Sequence, residues 1–136
     1  MNKIEGIIKK ININGLVSFL DVDCSGIIIK VLILQVPALF KEGDQSELFV
    51  KESEVLLAKP DETVNIKNFI SIENTIDGKI IKIKSGEIFT EVTTETSLGK
   101  IIVLTESVAF DRLEVAELSS VVLLIKANSI GLGALE

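Results

Sequence analysis

The chain has no histidine, no tryptophan and no tyrosine, and only one cysteine and two prolines in 136 residues. The missing histidine removes the commonest general base and the commonest transition-metal ligand. It also rules out Ser–His and Cys–His nucleophile arrangements. Cys24 has no partner for an internal disulfide, so it reads as a small buried side chain in a reducing compartment. Without tryptophan or tyrosine there is little to stack against bases, and a net charge of −6 opposes a phosphate backbone. A nucleic-acid partner is therefore not expected. No Gly-rich phosphate loop with its lysine is present. The longest apolar runs, residues 27–29 and 31–34, are split by Lys30 and are too short to span a bilayer. Lys9 and Lys10 interrupt the opening segment before any apolar leader core can form. These absences predict a cytoplasmic binding protein, not an enzyme and not a membrane protein.

What the chain does have is aliphatic residues. Hydrophobic side chains make up 47% and charged ones 25%, which excludes disorder. The mean hydropathy of +0.48 is more apolar than a small interior can absorb, which predicts subunit contacts and a homo-oligomer. The apolar residues recur as a tandem repeat. Asn2, Ile4, Gly6, Ile8 and Ile11 fall on Asn74, Ile76, Gly78, Ile80 and Ile83; Gly15 then matches Gly86, and Gly26 matches Gly99. V-K-E-S-E-V from Val50 matches I-K-A-N-S-I from Ile125. Ile, Val and Thr dominate both copies, broken by Asn-Gly, Ser-Gly and Gly-Asp pairs, which is strand and turn chemistry. Strands are predicted at 4–13, 16–23, 27–34 and 48–57, with a helical turn at 37–41. In the second copy they are predicted at 75–84, 88–95, 100–105, 121–127 and 129–132, with the matching turn at 108–113. The expected division is a first domain at 1–58, a linker at 59–70 and a second domain at 71–136. The expected fold class is all-β: two tandem OB-like small β-barrels, whose closure pairs edges that would otherwise stay open.

S-I-E-N (Ser71 to Asn74), the spacing of Ile76, Gly78, Ile80 and Ile83, G-E-I-F-T-E-V from Gly86 and the closing I-K-A-N-S-I together resemble the molybdenum-pterin-binding (Mop) domain of the TOBE class. Over nearly the whole chain the layout is similar to stand-alone di-Mop proteins. The resemblance implies intracellular binding of molybdate or tungstate for storage or homeostasis. It further implies assembly into a trimer, with anions at interfaces between Mop units. Backbone N–H groups, hydroxyls and one or two cations suffice for a tetrahedral dianion, so an acidic protein is no obstacle.

Carried over residue by residue, the oxyanion-binding set in the second copy is Ser71, Glu73, Thr105, Ser107, Lys126, Ala127 and Asn128. In the first it is Lys51, Glu52 and Ser53. Glu52 and Ala127 enter through their backbone N–H groups. Glu73 departs from the pattern, because the family places an arginine there. A carboxylate at that point repels a dianion by roughly 4 kcal/mol per charge at 4 Å in an effective dielectric of 20. Asn128 stands in for serine, T-E-S replaces a T-x-x-S spacing, and the first copy has no hydroxyl across residues 33–37. Each residue also has a plain structural reading. Lys51 and Lys126 serve equally as solvated charges, Ser53, Ser71 and Asn128 as turn caps, Thr105 as a strand residue and Ser107 as a helix N-cap. Two further readings follow: a di-Mop structural or regulatory module that has lost its anion, and a nucleic-acid-binding OB protein, which the acidic charge disfavours.

Overall fold

A computed structural model describes residues 1–34 and 40–134 of the chain. Its strands are β1 (Asn2–Asn14), β2 (Val17–Cys24), β3 (Ile27–Ile33), β4 (Gln45–Val50), β5 (Leu56–Ala58), β6 (Asn74–Lys84), β7 (Phe89–Thr96), β8 (Gly99–Glu106), β9 (Ser120–Ile125) and β10 (Ile130–Ala134). One short helix, α1 (Ser107–Asp111), stands where the turn at 108–113 was expected. The turn expected at 37–41 lies largely outside the described residues. The strand expected at 48–57 is broken: β4 stops at Val50, a 3₁₀ turn covers Glu52–Glu54, and β5 starts at Leu56. The break is marked by the polar run Lys51–Glu54, and the inward-facing Val50 and Val55 are five residues apart, a spacing that a continuous strand would place on opposite faces.

The strands form two five-stranded antiparallel sheets, ordered β10-β4-β1-β2-β3 and β5-β9-β6-β7-β8. In each, the two edge strands approach one another, β10 to β3 and β5 to β8, so each sheet curls towards closure. The compact units built on them are Met1–Val50 with Lys126–Glu136, and Lys51–Ile125. The repeat in the sequence and the compact unit in space thus divide the chain differently. In unit 1 the edge strand β10 comes from the second repeat, with Ile130 opposite Val50. In unit 2 the edge strand β5 comes from the first repeat, with Leu56 opposite Leu124.

The repeat is exact in register. Ile4 lies opposite Leu48 and Ile76 opposite Leu123. Leu20 lies opposite Val31 and Val92 opposite Val103. All of these side chains are buried, as are Ile8 and Ile80 on the first strand of each unit. Full burial of one such aliphatic side chain contributes about 1.5–3 kcal/mol, so these layers hold each sheet together. A β-bulge follows Ile8 in β1 and Ile80 in β6, with Lys9 and Ile81 as the extra residues. The bulge bends the long first strand, so that it pairs with β4 or β9 at one end and with β2 or β7 at the other. Gly6 and Gly78 sit just before these bends. A Cβ on Gly6 would come within 2.6 Å of Val22 Cγ1, and one on Gly78 within 2.9 Å of Leu123 Cδ1.

The segment 59–70 carries a bridge between Asp61 and Val64 and a 3₁₀ turn at Ile66–Asn68. Asp61 accepts hydrogen bonds from the backbone N–H (2.9 Å) and hydroxyl (2.7 Å) of Thr63, which hold its carboxyl below the usual range. Lys59, Val64 and Lys67 line a hollow floored by Val122, which helps to bury β9 on both faces. Cys24 is a buried free thiol at the end of β2, as expected. Among the described residues, no helix is long and apolar enough to cross a membrane.

Candidate functional site

The closing motifs form the same local structure twice. Lys51 (φ −67°, ψ 143°) leads into the 3₁₀ turn Glu52–Glu54, which ends at Val55 (φ −99°, ψ 125°). Lys126 (φ −73°, ψ 141°) leads into the turn Ala127–Ser129, which ends at Ile130 (φ −101°, ψ 125°). Each turn is closed by a backbone bond to the lysine carbonyl, from Glu54 N–H at 2.9 Å and from Ser129 N–H at 3.0 Å. A buried aliphatic residue stands on either side of each turn: Val50 and Val55, then Ile125 and Ile130. The flanks point inward, so Lys51, Ser53, Lys126 and Asn128 are displayed to solvent. Inherited strand hydrophobicity thus forces the polar residues of the motif outward.

The partners of the two turns differ. In unit 2 the Glu52–Glu54 turn packs against β8. In unit 1 the Ala127–Ser129 turn packs against β3. Thr90 faces Thr105 across β7 and β8, and Ser18 faces Ile33 across β2 and β3. Ile33 is therefore the structural counterpart of Thr105. Unit 2 brings Ser53 of the first repeat together with Thr105 of the second, whereas in unit 1 the turn carrying Ala127 and Asn128 meets a strand without hydroxyls.

Ser53 and Thr105 line a groove of about 390 Å³ in unit 2. Its walls include Leu57, Leu104 and Phe110, and its rim carries Glu106 and Arg112. Arg112 is the chain's single arginine and stands immediately after α1. Motif matching missed it because it occupies no motif position. Its one mark in the sequence is chemical: it is the chain's single guanidinium, with five donors in a planar fork.

Ser107 lies outside this groove's lining and is buried. Its hydroxyl donates to the Gly86 carbonyl at 2.7 Å and lies 2.8 Å from Thr90 Oγ1. With the Ser107 proton directed to Gly86, Thr90 is the donor in the second bond. Ser107 is not the helix cap: Glu106 holds that position, with no side-chain cap bond, and Ser107 opens α1. Ser18, the counterpart of Thr90 in unit 1, is fully buried and its hydroxyl finds no partner among the described residues.

Ser71 and Glu73 are exposed and precede β6, whose first residue, Asn74, is paired with Ile125 at the end of β9. In the first repeat the same pairing joins Asn2 to Val50. Ser71 and Glu73 thus lead into one strand of the ladder, and Lys126 leads out of the other.

No family model matches the sequence, and no curated protein matches it. Among solved structures the chain is similar to a crystal structure of the cytoplasmic molybdate-binding protein ModG, in a PEG-grown form with molybdate bound. The TM-score is 0.88 at 21% identity, covering 98% of this chain and 96% of that one. ModG is a binding protein. At this identity the likeness carries the fold, and the architecture of two tandem OB-like barrels is established.

Proposed function

We propose that this protein binds molybdate or tungstate in the cytoplasm, as a store or buffer of the oxyanion and without catalysing a reaction. The observation that carries this reading is the twin turn. Lys51–Ser53 and Lys126–Asn128 present a cation and a polar side chain in matching backbone geometry, on a fold shared with a structure that has molybdate bound. A lysine and a hydroxyl or amide on a rigid turn are the donors a tetrahedral dianion needs. The proposed ligands are Lys51, Ser53, Lys126 and Asn128, the backbone N–H groups of Glu52 and Ala127, and the hydroxyls of Ser71 and Thr105. Exposed Leu16, Leu34, Phe69 and Val108, each more than 60% accessible, supply apolar surface for a homo-oligomer, proposed as a trimer. Sites completed by neighbouring chains fit turns that sit at the surface.

Calorimetric titration of the intact oligomer with molybdate, tungstate and sulfate tests the reading. Saturable heat with molybdate or tungstate supports it; silence with all three overturns it.

A second reading, a di-Mop module that has lost its anion and acts through protein contacts, draws on Glu73 and on the hydroxyl-free β3. A Glu73→Arg variant separates the two. Tighter oxyanion binding favours the binder; a change confined to stability favours the module.

A further inference from the structure

We infer that Arg112, a residue outside the motif, supplies the cation of an oxyanion site in the groove of unit 2, with the hydroxyls of Ser53 and Thr105 as its co-ligands. The inference rests on the oxyanion-binding reading above and names the residue that makes one of its sites work.

Three observations converge. First, the groove joins one guanidinium and two hydroxyls, drawn from three separate stretches of chain: the turn after β4, the end of β8 and the residue after α1. Second, among the described residues none of these three side chains is engaged elsewhere. Neighbouring hydroxyls are committed: Thr90 to Ser107, Thr94 to the Ile101 carbonyl at 2.8 Å and Thr96 to the Gly99 carbonyl at 2.9 Å. Thr105, on the same sheet, has no such bond, and the Arg112 guanidinium has neither a hydrogen bond nor an ion pair. Donors gathered at one hollow, and among the described residues held by no other protein group, are open to a ligand with several acceptor oxygens. Third, the groove sets a cation beside an apolar wall. Leu57, Leu104 and Phe110 form that wall beside the guanidinium, and a charge-assisted bond from its fork to an oxyanion is stronger than one from a neutral donor.

Glu106 lies on the same groove and opposes an anion. It gives the inference a second handle, since its removal and the removal of Arg112 must act in opposite directions. Two oxygens of a tetrahedral oxyanion accept from the guanidinium fork, and the other two are left for the hydroxyls. Lysine, a point charge, does not reproduce the fork.

The test is calorimetric titration of the full chain with molybdate, in the wild type and in Arg112→Ala, Arg112→Lys and Glu106→Gln. Arg112 and Glu106 are exposed, so the variants are expected to fold, and circular dichroism checks this. Arg112→Ala is expected to weaken the groove site at least about tenfold or to remove it from the stoichiometry, with Arg112→Lys falling in between. Glu106→Gln is expected to tighten binding severalfold. If the wild type binds and Arg112→Ala leaves both affinity and stoichiometry unchanged, the inference is overturned while the binding reading stands. If the wild type itself binds no oxyanion, both fall. Should Arg112→Ala misfold, the Glu106→Gln result decides, and unchanged or weaker binding there overturns the inference.

Discussion

Each unit buries a hydroxyl at the same place in its sheet, and among the described residues only the one in unit 2 has a partner. In unit 2, Thr90 donates to Ser107, which donates to the Gly86 carbonyl, with both side chains buried. In unit 1 the equivalent Ser18 is buried with no partner among the described residues. Thr90→Val keeps the shape and removes one neutral hydrogen bond, a net loss of about 1 kcal/mol. Ser107→Ala breaks two bonds and strands the Thr90 donor, at a cost of roughly 1–3 kcal/mol. Ser18→Ala removes a buried hydroxyl that has no partner among the described residues; it is expected to leave stability unchanged or raise it by up to about 1 kcal/mol. With no tryptophan or tyrosine to report fluorescence, urea unfolding followed by far-UV circular dichroism is the suitable assay. With slopes of ~1–3 kcal/mol per molar urea, Thr90→Val lowers the midpoint by about 0.3–1 M at constant slope. A Ser18→Ala midpoint depressed as far as that of Thr90→Val would refute the reasoning, because it would mean that the Ser18 hydroxyl is satisfied.

Other consequences are equally open to measurement. Gly6→Ala would place a Cβ 2.6 Å from Val22 Cγ1 and 2.7 Å from Cys24 Sγ, so overpacking should cost about 1–3 kcal/mol in thermal or urea unfolding. Burial, followed by the neighbouring Asp23, raises the Cys24 thiol from 9.0 to about 11. A raised thiol pKa keeps its full stabilising effect below pH 9 and loses it as pH climbs towards 11, so stability should fall by roughly 2–3 kcal/mol across that window and the drop should vanish in Cys24→Ala. Lys51→Ala and Lys126→Ala, both at exposed turns, should leave the unfolding free energy within about 0.5 kcal/mol of wild type while weakening oxyanion binding about tenfold, as read by calorimetry.

Much of the fold was legible in the residues. The repeat matched Ile8 with Ile80, and the two positions are equivalent in the fold: both are buried and each is followed by a bulge in the same place. The alignment of V-K-E-S-E-V with I-K-A-N-S-I anticipated two segments that adopt one backbone geometry. The pairing of the edge strands was not legible. An alignment shows which residues are equivalent, but it does not say which sheet a short apolar strand such as β5 or β10 joins. The candidate site was partly hidden for the same reason. Ser53 and Thr105 were both visible as motif residues, yet their meeting in one groove depends on where β5 docks. Arg112 carried no motif label, and only the groove reveals what lies beside it. The break at Glu52–Glu54 was not predicted, although the polar run Lys51–Glu54 and the odd spacing of the buried Val50 and Val55 both mark it.

The borrowed edge strands also set an order of events. Unit 2 is one uninterrupted stretch, Lys51–Ile125, and can close as soon as its last residue has left the ribosome. Unit 1 is split, and its first fifty residues must wait with β4 unpaired on one side until β10 follows. The waiting edge includes Leu48 and Phe49, an adhesive surface during synthesis. The split also makes the halves inseparable. A protease cut anywhere in 59–70 would leave residues 1–58 holding the edge strand of unit 2, and the remainder holding the edge strand of unit 1. Neither fragment would contain one complete sheet, so a single nick in a surface segment would put both barrels at risk.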